Sequence, residues 1–194
     1  MKNGKDNEMR FILSIFKSPE IQYNASNLAR HMKISSMGAL KIARKLEKED
    51  ILSLKQVGKA NIFHLNLNNK YAKQYIKFLL KREAENASPY VKRWIRELEK
   101  IEDARAVILF GSVLRKREEA NDIDVLIIVD KRGFDKVKKT VETINSLSDK
   151  KVHPIYQTKE DLQNHVKKEQ KVILNAIKGI VVLGEDTLLE TLQR

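Results

Sequence analysis

Apolar positions along the chain change their period several times. Over residues 8–17, Met9, Ile12, Leu13 and Phe16 recur at helical spacing. Ser18 and Pro19 end that helix, because proline lacks an amide hydrogen and biases its predecessor toward extended backbone. Asn24, a good N-cap, opens a second helix to Met32, with Ala25, Leu28, Ala29 and Met32 on its inner face. Residues 33–35 make a short turn, and Ser35 or Ser36 starts a third helix whose Ala39, Leu40, Ala43 and Leu46 face inward. The pattern then shortens: residues 51–54 and 62–65 read as strands flanking a turn with Gly58 and a basic tip. Residues 70–100 return to helix with a break near residues 86–89. The first piece carries Ala72, Tyr75, Ile76, Leu79 and Leu80, and the second Tyr90, Val91, Trp94, Ile95 and Leu98.

The second half alternates strand and helix. Residues 106–110 are a continuous apolar run, as expected of a buried strand, and Gly111 and Ser112 break it ahead of a basic helical turn at residues 113–117. Residues 123–129 form a second buried strand. A helix over 134–147, with Val137, Val141 and Ile144 inward, leads to a strand at 151–156. One helix is expected over 162–177, carrying a His165 that is at the surface or satisfied by a partner, then a strand at 179–184 and a terminal helix from Asp186. The expected class is α/β (α+β), with a mixed sheet in the second half.

The 194 residues, 42% hydrophobic and 33% charged, suit a soluble globular chain with one large or two small cores. No apolar run approaches the roughly 20 residues of a membrane span, and residues 1–11 lack the apolar core of a leader. With no cysteine, disulfides and thiolate metal sites are excluded, which fits a cytoplasmic location. The net charge of +12 is unevenly spread. Residues 1–100 hold 21 Lys and Arg against 10 Asp and Glu, whereas residues 101–194 hold 17 against 16. The first half is therefore expected to meet a polyanion.

Helix, helix, tight turn, helix and hairpin over residues 8–66 resemble winged helix-turn-helix regulators. Asp50 departs from that pattern, since such proteins often place glycine after the recognition helix. The resemblance implies binding to double-stranded DNA, with the third helix in the major groove and the hairpin on phosphate or minor groove. Ser35, Ser36, Met37, Lys41, Arg44, Lys45 and Lys48 lie off its apolar stripe, and Lys55 and Lys59 sit on or beside the hairpin. Protein docking or dimerisation is the alternative use of such a fold.

Asp122 and Asp124, two apart on a strand, point to one face and can converge on a cation. Gly111 and Ser112, nine intervening residues, then Asp122, Ile123 and Asp124 resemble the signature of DNA polymerase β-like nucleotidyltransferases, most closely the minimal domains of archaea and bacteria. The resemblance spans roughly residues 104–185. It implies that Gly111 lets the backbone approach a nucleoside triphosphate, that Ser112 bonds its phosphate, that Arg115 assists, and that Asp122 and Asp124 hold Mg²⁺ or Mn²⁺. Active members carry a third carboxylate on a later strand, where His153 stands here. Histidine there serves as a general base, acts as a poorer Mg²⁺ partner, or marks lost transfer. Asp130, Glu160 and Asp161 are weaker substitutes, the last two being better placed to cap a helix.

Three segments result: residues 1–69 as the DNA-binding domain, 70–100 as a helical linker or dimerisation segment, and 101–194 as the nucleotidyltransferase-like domain. Residues 70–100 are expected either to pack on that domain, to form a homodimer, or to extend the DNA-facing surface. Trp94 belongs to a core or dimer interface. The leading expectation is a DNA-binding transcriptional regulator whose nucleotidyltransferase-like domain binds Mg-nucleotide, with transferase activity weak or lost. The alternative is a transferase acting on a protein, small-molecule or RNA acceptor.

Overall fold

The computed structural model describes residues 4–192, with side chains from residue 6. Residues 1–3 and 193–194, the ends of the expected first and last segments, lie outside the described residues. Contacts divide the chain into two compact units, the first ending at Leu79 and the second running Leu80–Leu192. Among the described residues, no helix is long and apolar enough to cross a membrane.

The first unit holds α1 (Gly4–Phe16), α2 (Ala25–Met32), α3 (Ser36–Lys48), an antiparallel hairpin of β1 (Leu52–Val57) and β2 (Ala60–Leu65), and the start of α4 (Lys70–Glu85). Side chains define both starts of the central helix pair. The Asn24 side chain accepts from the amides of Ser26 and Asn27, while the Asn27 side chain accepts from the Asn24 amide. The Ser35 hydroxyl accepts from the Gly38 amide at 3.0 Å, so α3 begins at Ser36. Leu28, Ala29, Met32, Ala39, Ala43 and Leu46 are buried, whereas Ala25 and Leu40 are half-buried. Phe11 meets Phe63 of β2 with ring centroids 5.5 Å apart. Asp50 has φ +55°, a left-handed backbone in which a side chain is strained. Asn66 and Asn69 donate to its carboxylate at 2.9 and 2.8 Å, which holds the aspartate where a glycine would relax.

The second unit follows the end of α4 with α5 (Pro89–Leu98), β3 (Ala106–Phe110), α6 (Val113–Lys116), a 3-10 turn (Arg117–Glu119) and β4 (Asp122–Ile128). It continues through α7 (Phe134–Leu147), β5 (Lys151–Gln157), α8 (Lys159–Lys167), α9 (Lys171–Ile177), β6 (Ile180–Leu183) and α10 (Glu185–Leu192). The sheet order is β5-β4-β3-β6, with β4 parallel to β5 and the other pairs antiparallel, so the sheet is mixed.

On one face, Val107, Leu109, Ile123, Val125 and Ile127 cluster with Trp94 of α5 and with Val137 and Val141 of α7. Trp94 is thus a core residue. The alternate positions Ile108, Leu126 and Ile128 are equally buried, and α9 contacts both β3 and β4. Burial on both sides explains why these strands read as unbroken apolar runs.

The single helix expected over 162–177 is two. Glu169 takes φ +51° between α8 and α9, and the Gln170 amide donates to the His165 carbonyl. Residues 167–171 contain no apolar side chain, so no packing holds the helix straight through them.

Candidate functional site

Strand β4 enters the sheet as Asp122, Ile123, Asp124. Alternation turns Ile123 into the core and leaves both carboxylates on the other face. Register brings in the neighbours: Asp124 pairs with Phe110 of β3 on one side and His153 of β5 on the other. Ligand-type atoms of Asp122, Asp124 and His153 all lie within 4.8 Å of one another. The Nδ1 of His153 stands 3.3 Å from Oδ2 of Asp122. Both aspartates are half-buried and His153 is exposed.

Gly111 follows Phe110 directly, with φ +83°. A Cβ there would overlap the Asp124 carboxylate, lying 2.8 Å from its Cγ. Backbone conformation and space therefore both require glycine. Burial first, then the charge of Asp122, pushes the Asp124 carboxyl above its ordinary range, with His153 opposing.

Ser112 is half-buried at the start of α6, and Arg115 is exposed. Because α6 is a single turn of four residues, its dipole is small. Beside it lies an open depression of about 440 Å³ bordered by Gly111, Leu114, Arg115, Asn175 and Lys178. Asn175 and Lys178 escaped the sequence reading. Their signal was Gly179 just after them, where a Cβ would lie 2.8 Å from Cβ of Phe110 and crowd the Leu109 carbonyl.

Two further contacts set the cluster and have no sequence signature. Lys150 Nζ donates to the carbonyls of Glu118 and Ala120 in the turn feeding β4. The Asn145 side chain pairs with both backbone groups of Val152, one residue before His153. The other acids stand apart. Asp130 pairs with Arg105 at 2.6 Å beyond the far end of β4, and Asp161 caps α8 reciprocally with Thr158. Glu160 lies in the first turn of α8. His165 is held by Gln157, 2.6 Å from its Nδ1.

In the first unit, Ser35, Ser36, Met37, Lys41, Arg44, Lys45 and Lys48 are all exposed along α3, as are Lys55 and Lys59 on the hairpin. Met37, Lys41, Arg44, Lys45 and Lys48 border one open depression of about 530 Å³. Lys45 differs from its neighbours: its Nζ lies 2.6 Å from Glu8, whose other oxygen accepts from the Tyr75 hydroxyl at 2.7 Å.

Residues 92–187 match the family model described as Polymerase beta, Nucleotidyltransferase. No curated protein and no solved structure matches the chain. The matched stretch takes in Gly111, Ser112, Asp122, Asp124 and His153 together with the whole mixed sheet. The second unit thus carries a nucleotidyltransferase-fold domain.

The raised Asp124 carboxyl has a stability consequence. A folded-state pKa above the unfolded one adds stability below the unfolded value, and that contribution is lost as pH rises through the folded value. At neutral pH without a cation, the Asp124 charge therefore opposes folding. In chelator, Asp124→Asn is expected to raise the unfolding midpoint read by Trp94, the sole tryptophan, which reports on this unit. The gain should shrink as pH falls through the raised folded-state value and be gone below about 4, where both folded and unfolded carboxyls are protonated. A lowered midpoint at neutral pH would show that the carboxylate is already satisfied.

Proposed function

Starting from a nucleotidyltransferase-fold domain over residues 92–187, we propose that this chain is a DNA-binding transcriptional regulator whose second unit binds a metal–nucleoside triphosphate. The observation that carries the nucleotide half is the packing of Gly111 against Asp124, which seats that carboxylate beside Asp122 at the backbone turn leaving β3. The donor set fits a divalent cation: two carboxylates and an imidazole within 4.8 Å of one another. Asp122 and Asp124 would hold Mg²⁺ or Mn²⁺, which when bound neutralises triphosphate charge. Gly111 admits the phosphates to the backbone, Ser112 bonds a phosphate oxygen, and Arg115 lends charge from the rim of the neighbouring depression. Asn175 and Lys178 flank the same depression and would extend the contact.

The first unit is read as a winged helix-turn-helix. Supporting this are its element order and the exposed row of Ser35, Ser36, Met37, Lys41, Arg44 and Lys48 on α3, with Lys55 and Lys59 on the hairpin. Long cations on that row neutralise phosphates, and the short side chains at the start of α3 reach base edges. Lys45 would have to exchange Glu8 for phosphate, so it is the weakest contributor of the row.

A second reading, an active transferase using the first unit to dock its substrate, is favoured by the grouping of His153 with both aspartates. An acceptor hydroxyl oxygen on a protein, small molecule or RNA would bond to the α-phosphorus. The bond from that phosphorus to the bridging oxygen would break, pyrophosphate would leave, and the hydroxyl proton would pass to solvent.

Calorimetric titration with each nucleoside triphosphate and Mg²⁺ should give saturable binding that Asp124→Ala abolishes. Absence of heat with every nucleotide would overturn the nucleotide half. For the DNA half, Lys41→Ala and Arg44→Ala should each weaken duplex binding and reduce the salt slope by about 1. The readout is fluorescence anisotropy of labelled duplex across salt concentrations. Unchanged slopes would remove α3 from the DNA interface.

A further inference from the structure

We propose that His153 is a metal ligand, and that with Asp122 and Asp124 it makes this a site for Mn²⁺ or another borderline first-row cation in preference to Mg²⁺. The inference rests on the reading that the aspartate pair holds a cation, and it adds the ligand that selects which one.

Three observations lead to it. The parallel pairing of β4 and β5 sets His153 level with Asp124, on the side of the strand to which both carboxylates point. Its Nδ1 faces Oδ2 of Asp122 at 3.3 Å, and the candidate ligand atoms of all three residues fall within 4.8 Å. A cation with bonds of about 2.1 Å spans at most about 4.2 Å between two ligand atoms, so modest side-chain rotation closes the set. The other histidine of this unit with a close partner, His165, is occupied by Gln157 and stands outside the cluster.

The chemistry of that donor set is discriminating. Mg²⁺ is hard, takes oxygen ligands and gives up water reluctantly, so an imidazole nitrogen adds little to its binding. Imidazole suits the later divalent ions, and affinity for a nitrogen-containing site climbs from Mn²⁺ toward Cu²⁺. Two carboxylates keep enough hard character to accept Mn²⁺, which still binds phosphate oxygens well. An Asp, Asp, His set therefore favours Mn²⁺ over Mg²⁺ more than an all-oxygen set of the same size would.

The test uses the full chain with Mn²⁺ and inorganic tripolyphosphate, which supplies phosphate oxygens and contains no nitrogen. Pulsed electron paramagnetic resonance of bound Mn²⁺ should show coupling to a nitrogen, and that coupling should vanish in His153→Ala. In the same variant, Mn²⁺ affinity should fall about tenfold or more, with a smaller change for Mg²⁺ measured by competition. His153→Asp should shift preference back toward Mg²⁺. Because His153 is exposed on an edge strand, both variants are expected to fold.

Mn²⁺ binding that depends on Asp124 but lacks nitrogen coupling, or is unmoved in His153→Ala, overturns the role of His153 and leaves the aspartate site standing. Failure of the wild-type chain to bind either cation, with Asp124→Ala indistinguishable from it, removes both readings.

Discussion

The carboxylate of Asp124 lies so close to Gly111 that any side chain at 111 would overlap it, and the rest of the candidate site depends on that contact. It ties the end of β3 to the start of β4. The antiparallel register opposes Phe110 to Asp124, and the left-handed turn at Gly111 leads the backbone away without covering the carboxylate. The parallel register of β4 with β5 then adds His153 at the same level. Three strands converge at one corner, where a backbone with no side chain of its own meets two acids and an imidazole. The buried apolar side chains on both faces of the sheet keep that corner in place.

The two units differ in charge. The basic excess of the chain falls within residues 1–100, and the cations on α3 and the hairpin remain exposed there. The second unit is nearly neutral overall but concentrates two acids on one strand end, where burial and mutual repulsion raise the Asp124 carboxyl. Such a pair is unfavourable alone and becomes favourable beside a cation. Two acids and an imidazole within 4.8 Å of one another, with glycine packed against one of the acids, are a donor set that suits a divalent cation.

Much of this was legible in the residue pattern. Unbroken apolar runs marked β3 and β4, the spacing of Asp122 and Asp124 put them on one face, and Asn24 marked a helix start. Those signals are local, because each depends on backbone period or a cap within a few residues. What escaped depends on chain closure. Lys150 holds the turn before β4 through carbonyls about thirty residues away in sequence, and no pattern encodes that. Asn175 and Lys178 reach the site only because α9 ends beside β3. The break at Glu169 was hidden by a helical period that continues on both sides of it. Lys45, one of several similar cations on α3, is set apart by its ion pair with Glu8 of a different helix.

The most direct measurement is anomalous diffraction from crystals of the full chain grown with Mn²⁺ and a nonhydrolysable nucleoside triphosphate. The expected result is an anomalous peak between the carboxylates of Asp122 and Asp124, with the triphosphate passing Gly111. A peak elsewhere, or a nucleotide bound away from that corner, would contradict the assignment of Gly111, Asp122 and Asp124 as the cation–nucleotide site.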